Sequence, residues 1–229
     1  EEHKEDIQSE FQLRCKERLL EQFAVKLQAT PLPPEIIEQI LDFAGVYATQ
    51  SQAINRYLSG QNLNFLYLLS SHVPTDQCKG VEVVVWSHDQ GWSSYPSEQG
   101  TYSGSWTYGE LIQVPSDVDL TRLETQQRKY SVQEEPNYTD TTKNTQQLLE
   151  CSDNIPEELS TSQRHHVYTN LHARSAWQRH VKQFDLSHEL VQNLKRGDRV
   201  ALVLRSMYPG WCNFVRFAKI SILYHPPSA

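Results

Sequence analysis

Hydrophobic residues recur at helical spacing in the first 74 residues of the chain. One apolar stripe fits a helix face and consists of Phe11, Leu19, Leu20, Phe23 and Leu27. Pro34 suits the first turn of a second helix, because a first-turn N–H has no partner inside the helix, and Gly45 is a natural end for it. The isoleucines and leucines between them cover an arc too broad for an isolated solvated helix. Residues 1–74 are therefore predicted to be mostly helical.

Alternation replaces helical spacing after residue 78. Val81, Val83 and Val85 occupy alternate positions before Trp86, which is a β pattern. Further strands are predicted at 167–177, 181–184, 199–205 and 214–224. No helical stretch of useful length lies between them, which favours an antiparallel sheet over βαβ units. The sequence thus predicts an α+β multidomain chain with a jelly-roll-like antiparallel β-sandwich over residues 79–229.

Residues 115–163 interrupt this β pattern with a segment rich in Gln, Thr, Ser, Glu and Asn. Ordering a backbone costs roughly 1–2 kcal/mol per residue, and the segment offers little apolar area to offset that cost. We therefore expect a polar insertion with little fixed structure. The residues that could anchor it are Leu148, Leu149, Ile155 and Leu159.

Composition narrows the class of partner. Hydrophobic residues make up 38% and aromatic residues 10% of the chain, which is enough for a packed core. The formal net charge of -7 disfavours nucleic acid and anionic membrane surfaces. We expect neither a membrane span nor a signal peptide. The cysteines at 15, 78, 151 and 212 lack metal-ligand spacing, so buried or idle thiols are expected, and their spacing leaves a disulfide open.

A family resemblance begins in the second helix. The string Leu32-Pro-Pro-Glu-Ile-Ile-Glu-Gln-Ile-Leu-Asp-Phe43 resembles the opening of an F-box. Four later strings are similar to a group of fungal proteins in which such a segment precedes a β domain. They are Trp86-Ser-His-Asp-Gln-Gly-Trp92, Gly100-Thr-Tyr-Ser-Gly-Ser-Trp-Thr107, Asn193-Leu-Lys-Arg-Gly-Asp198 and Pro209-Gly-Trp-Cys-Asn213.

The resemblance implies a substrate receptor of a cullin-RING ubiquitin ligase of the SCF type, in the cytoplasm or the nucleus. Residues 1–74 would form the helical F-box-like part that binds a Skp-type linker protein and through it a cullin, without a cofactor. The linker-binding residues would be Leu32, Pro33, Pro34, Ile36, Ile37, Ile40, Leu41 and Phe43. The alternative is that this helix belongs to an ordinary helical core.

Candidate catalytic chemistry is sparse. His88 and Asp89 could form an acid–base pair, but a polar turn closed by Gly91 is the favoured interpretation. The sequence contains no Gly-rich phosphate loop, GxSxG or HExxH motif, and none of its nine histidines has metal-type spacing. We therefore expect a protein that is not an enzyme and that has no metal site.

Aromatic residues are the most conspicuous candidates for binding. Trp86, Trp106 and Trp177 are predicted to be core residues. Rings beside glycine and proline are expected in loops, where large amphipathic side chains serve as anchors. The predicted site for a protein substrate comprises His88, Asp89, Trp92, Tyr95, Tyr208, Trp211 and Asn213. A carbohydrate-binding module is the alternative, since aromatic faces flanked by polar residues suit sugar rings.

Overall fold

The computed structural model describes residues 22, 26, 27, 32–121, 149, 150 and 154–225. The elements in chain order are helix α1 (Pro34–Ala44), strands β1 (Ala48–Gln61), β2 (Asn64–Leu69), β3 (Cys78–His88), β4 (Thr107–Val114) and β5 (Leu149–Glu150), a 3₁₀ turn (Glu157–Leu159), strands β6 (Arg164–Thr169) and β7 (Gln178–Asp185), helix α2 (Glu189–Asn193), and strands β8 (Arg199–Ser206) and β9 (Cys212–Tyr224). Strands therefore dominate the described part of the chain.

Two sheets form the body of the protein. Within the described residues, the first sheet has five strands in the order β5-β1-β9-β3-β7, and the second has four in the order β2-β8-β4-β6. All neighbours pair antiparallel except the two-residue β5, which runs parallel to β1. The prediction of an antiparallel β-sheet protein is thus confirmed.

The two sheets pack face to face over one hydrophobic core. Val83 and Ile220 from the first sheet join Leu111 and Leu202 from the second, and all four are fully buried. Burial of one such side chain contributes about 1.5–3 kcal/mol. The alternating residues of β3, β4, β8 and β9 therefore hold the sheets together.

The prediction that residues 1–74 are mostly helical is wrong for residues 48–69. These residues form β1 and β2, and β1 pairs with β9 along most of its length. The helical part described between residues 32 and 74 is α1 alone. The remainder of this stretch belongs to the same two sheets as residues 78–225, because a strand with a long hydrogen-bonded partner overrides weak local spacing. Most of the first predicted helix lies outside the described residues.

The strand predictions after residue 78 are mostly correct. Strands β3, β7, β8 and β9 lie where alternation predicted them. The strand predicted over 167–177 is shorter, since β6 ends at Thr169 and the chain then forms a loop up to β7. Helix α1 begins at Pro34 and ends before Gly45, whose φ of 63° places it in the left-handed region. Cys78 and Cys212 are buried free thiols, and the other two cysteines lie outside the described residues.

Both described ends of the polar insertion pack on the outer face of the second sheet. A second hydrophobic cluster, which includes Ile112, is joined from the first part of the insertion by Val118 and Leu120. It is joined from the last part by Ile155 and Leu159. Leu159 is 1% exposed. Two of the predicted anchors, Ile155 and Leu159, are thereby confirmed, and the prediction of little fixed structure falls mainly on residues 122–148 and 151–153, outside the described residues.

Candidate functional site

Three loops meet at one end of the sandwich. They are residues 89–106 between β3 and β4, residues 170–177 between β6 and β7, and residues 207–211 between β8 and β9. The Asp89 N–H donates to the Arg174 carbonyl at 3.1 Å, and the Met207 N–H donates to the Trp106 carbonyl at 3.0 Å. The Cys212 N–H donates to Gln90 Oε1 at 3.2 Å. The sequence elements predicted to form a site therefore converge in space.

A buried polar network supports these loops. Asn170 is its centre: its Nδ2 donates to Thr107 Oγ1 and to Asn213 Oδ1, each at 3.1 Å, and its Oδ1 accepts from Ser87 Oγ at 2.7 Å. Asn213 Nδ2 in turn donates to the carbonyl oxygens of Tyr108 and Arg205, at 3.1 Å and 3.0 Å. Satisfied polar groups in a low-dielectric interior hold a single arrangement, because breaking one bond leaves an unpaired buried group.

Asp89 ties one loop to this network. Its side chain is fully buried, and its Oδ2 accepts from the Ala173 N–H at 2.7 Å. Oδ1 accepts from Thr107 Oγ1 at 3.3 Å. Burial raises the pKa of the carboxyl, and these hydrogen bonds oppose that rise. Ala173 has a φ of 55°, so Asp89 secures a strained position in the loop.

The polar residues predicted to border the substrate site lie below the surface. His88, Asp89 and Asn213 are each at most 9% exposed. The His88 ring stacks on Phe214 at 4.5 Å, and its Nδ1 lies 2.6 Å from the Asp89 carbonyl oxygen. The predicted exposed rim is thus corrected to a supporting layer, and the carboxylate of Asp89 does not pair with His88. Burial of an isolated polar group is costly, but a complete hydrogen-bond network removes that cost.

Aromatic rings cover this layer, of which Trp92, Trp106 and Tyr208 are exposed and Trp211 is half-buried. We define the loop aromatic patch as Trp92, Trp106, Tyr208 and Trp211. Trp106 and Tyr208 meet edge to face at a centroid distance of 5.0 Å. A Cβ at Gly210 would lie 3.9 Å from the Trp92 ring, which places that ring beside the β8–β9 turn. The structure therefore brings together three of the four predicted anchor rings.

The fourth predicted ring, Tyr95, is exposed in the same loop, but no ring contact joins it to the patch within the described residues. Trp106 was predicted to be core and is 38% exposed, because it lies just before β4 rather than inside it. The glycine and serine residues before Trp106 were the signal that could have placed it in a loop. Trp86 and Trp177 are half-buried rather than core.

Backbone strain marks Tyr208 within the patch. Its φ is 72°, a left-handed conformation that is unusual for a residue with a bulky side chain. Strained residues of this kind cluster at active sites and ligand-binding sites, where the surrounding structure holds them in place. Trp211 is also fixed, since its ring meets the fully buried His172 ring edge to face at 4.9 Å. Two of the four rings of the patch, Tyr208 and Trp211, are therefore preorganised.

The predicted linker-binding residues fall on two faces of α1. Ile37 and Leu41 are buried in a small cluster with Val46 and Leu27. Asp42 fixes the end of the helix to the sandwich through an ion pair with Lys79 at 3.1 Å. Its other carboxylate oxygen lies 3.0 Å from Nε2 of His225, a ring whose pKa is lowered by burial. The accessible members of the set are Leu32 at 40%, Ile36 at 41% and Phe43 at 96% exposure, with Pro33 exposed and Ile40 half-buried. Pro34 supplies the first turn.

An open groove of about 460 Å³ lies between the edge strands β6 and β7. His166, Arg179 and His180 line it, and none of the predicted site residues does. Burial lowers the pKa of His180 to about 4, so this ring is neutral at physiological pH. The groove therefore presents hydrogen-bonding groups beside a single arginine charge.

No model of a known protein family matches the chain, and no curated protein matches it. Among the described residues there is no cluster of three or more metal-ligating side chains. None of the helices in the described ranges is long and apolar enough to cross a membrane.

Proposed function

We propose that this protein is a non-catalytic substrate receptor of an SCF-type ubiquitin ligase in the cytoplasm or nucleus. Helix α1 binds a Skp-type linker, and through it a cullin, while the loop aromatic patch binds a protein substrate. The observation that carries the proposal is the division of α1 into a buried face and an exposed apolar face. It is joined by the resemblance of residues 32–43 to an F-box.

The exposed face of α1 has the chemistry of a docking surface. Ile36, Ile40 and Phe43 are spaced four and three residues apart and so share one side of the helix. Phe43 is 96% exposed, and an exposed cluster of large apolar side chains marks an interaction site. The opposite face, with Ile37 and Leu41, holds the helix in place. A helix fixed by one face can present the other to a partner without losing its fold.

The loop aromatic patch supports the second half of the proposal. Its rings sit on loops that a rigid polar network fixes, and binding residues are commonly placed on such loops. Large aromatic side chains dominate the energy of protein interfaces. Because Tyr208 and Trp211 are already fixed, little conformational entropy is lost when a substrate binds.

Copurification with a coexpressed Skp-type linker tests the helix. The double variant Ile36→Asp/Phe43→Asp should lose the linker and retain the melting temperature of the wild type, since both residues are exposed. Leu186→Asp is the matched control, because Leu186 is a 46% exposed apolar residue in the turn after β7, outside α1. Retention of the linker by the double variant would refute the proposal. Substitution of Ile37 and Leu41 cannot serve, since both are buried and their loss would unfold the helix.

Carbohydrate binding by the same patch is the second candidate. Without the two-residue β5, the two sheets have the orders β1-β9-β3-β7 and β2-β8-β4-β6. When these eight long strands are renumbered one to eight along the chain, the orders become 1-8-3-6 and 2-7-4-5. This arrangement supports a jelly roll, an architecture that lectin domains use. Exposed tryptophan faces suit sugar rings. A glycan array probed with wild type and Trp92→Ala separates the two candidates: glycan signals that disappear in the variant favour carbohydrate, and their absence favours a protein substrate.

A further inference from the structure

One guanidinium on the outer face of the five-stranded sheet is held against two tryptophan rings. The Arg216 Cζ lies 4.9 Å from the centre of the Trp86 ring and 4.7 Å from that of Trp177. Both distances are within the range of about 6 Å at which a cation is attracted to an aromatic face. Stacking engages the flat face of a guanidinium and leaves its in-plane N–H donors available. The two rings therefore orient Arg216 without using its hydrogen-bonding capacity.

A β-bulge places Arg216 in this position. In the pairing of β3 with β9, Trp86 lies opposite Phe217 and Ser87 lies opposite Val215, so Arg216 is an extra residue with no partner on β3. A bulge of this kind redirects a side chain and is common beside functional sites. The direction of the Arg216 side chain is therefore set by the backbone as well as by the two rings.

The cations of this face have no ionic partner among the described residues. The side chains of Arg216, Arg179 and Lys219 form neither a hydrogen bond nor an ion pair within the described ranges. Arg179 on β7 lies opposite Trp86 on β3, and Lys219 on β9 lies opposite Val84 on β3. Three available positive charges thus gather on one sheet face of a chain whose formal net charge is -7.

One acidic side chain, Glu82, borders this cluster on the same sheet face. Glu82 on β3 accepts a hydrogen bond from Gln183 Nε2 at 2.7 Å. It is four residues from Trp86 along the strand, a separation of about 13 Å at about 3.3 Å per residue, so it is remote from Arg216. Glu82 is, however, a diagonal neighbour of Lys219, which lies opposite Val84. The outer face of the other sheet is covered by residues 118–120 and 155–159, whereas Val181 on this face is 46% exposed. The cluster is therefore a partly exposed cationic and aromatic surface, in which Arg179 is exposed and Arg216 and Lys219 are half-buried.

We propose that the face around Arg216 binds a carboxylate-bearing segment of an acidic protein partner. Arg216 anchors one carboxylate through two parallel N–H donors, and Arg179 and Lys219 attract neighbouring acidic side chains. A protein segment fits better than a nucleic acid, because three cations on an acidic protein cannot offset the repulsion of a long phosphate backbone. This surface is separate from the loop aromatic patch and does not depend on the function proposed for it.

Fluorescence anisotropy with a labelled octaglutamate peptide tests the proposal at low salt. The wild type should bind this peptide and not an octaglutamine peptide. Arg216→Gln should weaken binding at least tenfold. Arg196→Gln is the matched control, since Arg196 is an exposed arginine in the turn before β8, and it should change the affinity less than twofold. Trp92→Ala, in the loop aromatic patch, should leave peptide binding unchanged, which keeps this test distinct from that of the proposed function.

Arg216→Lys separates recognition from packing. Lysine retains the positive charge but lacks the planar fork, so binding should fall severalfold while the melting temperature stays close to that of the wild type. Equal peptide affinity in the wild type and Arg216→Gln would overturn the proposal. Equal losses in Arg216→Gln and Arg196→Gln would also overturn it, since they would show an unspecific charge effect. If Arg216→Gln fails to fold, the affinity of Arg216→Lys decides: wild-type affinity there would overturn the proposal.

Discussion

The strained backbone at Tyr208 allows the fold to be tested separately from the role of its ring. Tyr208 has a φ of 72°. A residue with a side chain incurs roughly 1–2 kcal/mol in this conformation, whereas asparagine adopts it readily. Tyr208→Ala removes the ring and retains the strain. Tyr208→Asn removes the ring and relieves the strain, so the pair of variants isolates the backbone contribution.

The magnitudes follow from the contacts of Tyr208. Its ring is 53% exposed and meets Trp106 edge to face at 5.0 Å, an interaction worth about 1 kcal/mol. Tyr208→Ala should therefore lower the free energy of unfolding by about 1 kcal/mol. In Tyr208→Asn the relieved strain offsets this loss, so the variant should match the wild type. A difference of about 1 kcal/mol corresponds to roughly 2–4 °C in Tm for a chain of this size.

Thermal unfolding followed by circular dichroism measures the stability difference, and substrate capture well below both transitions measures the role of the ring. We expect Tyr208→Asn to melt above Tyr208→Ala while both lose capture equally. Equal melting temperatures would refute the inference of strain at Tyr208. Wild-type capture by both variants would show that the ring is not a binding anchor.

Three further predictions concern the rings and the buried titratable groups. Trp92→Ala should weaken substrate capture by about 2 kcal/mol or more, near thirtyfold, with little change in Tm because the ring is 61% exposed, whereas Trp211→Ala should also lower Tm; capture assays and melting curves check both. Burial lowers the pKa of His180 to about 4 in the folded protein, so below pH 6.5 this histidine binds a proton in the unfolded chain but not in the folded one. The free energy of unfolding should therefore fall as the pH drops from 6.5 towards 4. His180→Phe should flatten this slope in urea titrations. Burial raises the pKa of Cys212 to about 12, so iodoacetamide at pH 8 should alkylate it only after unfolding, as peptide mass spectrometry would show.

The elements predicted correctly are those with a local cause. Helix α1 begins at Pro34 because proline fixes φ in the first turn, and it ends before Gly45 because glycine adopts the left-handed conformation at little cost. Strands β3 and β8 contain runs of Val and Leu that are buried in the sheets. Their positions follow from the sequence because the burial pattern and the backbone preference agree.

Strand β1 shows where local reasoning fails. Its first half contains Ala, Gln, Ser and Thr, with no buried residue before Arg56. No alternation of apolar residues could reveal it. Its partner β9 lies about 160 residues later in the chain, and the hydrogen bonds between the two define it as a strand. Long-range pairing of this kind leaves no local signal in the sequence.

The candidate sites show the same division. The sequence by itself identified α1 and the ring-bearing loops, because loop chemistry follows from neighbouring glycine and proline residues. Only the tertiary structure decided that His88 and Asp89 lie beneath the surface, that Ile37 faces inward while Ile36 faces outward, and that a bulge directs Arg216 onto two tryptophans. The physical reason is that exposure and side-chain direction depend on strand register and on packing partners far away in the chain, which local residue preferences do not encode.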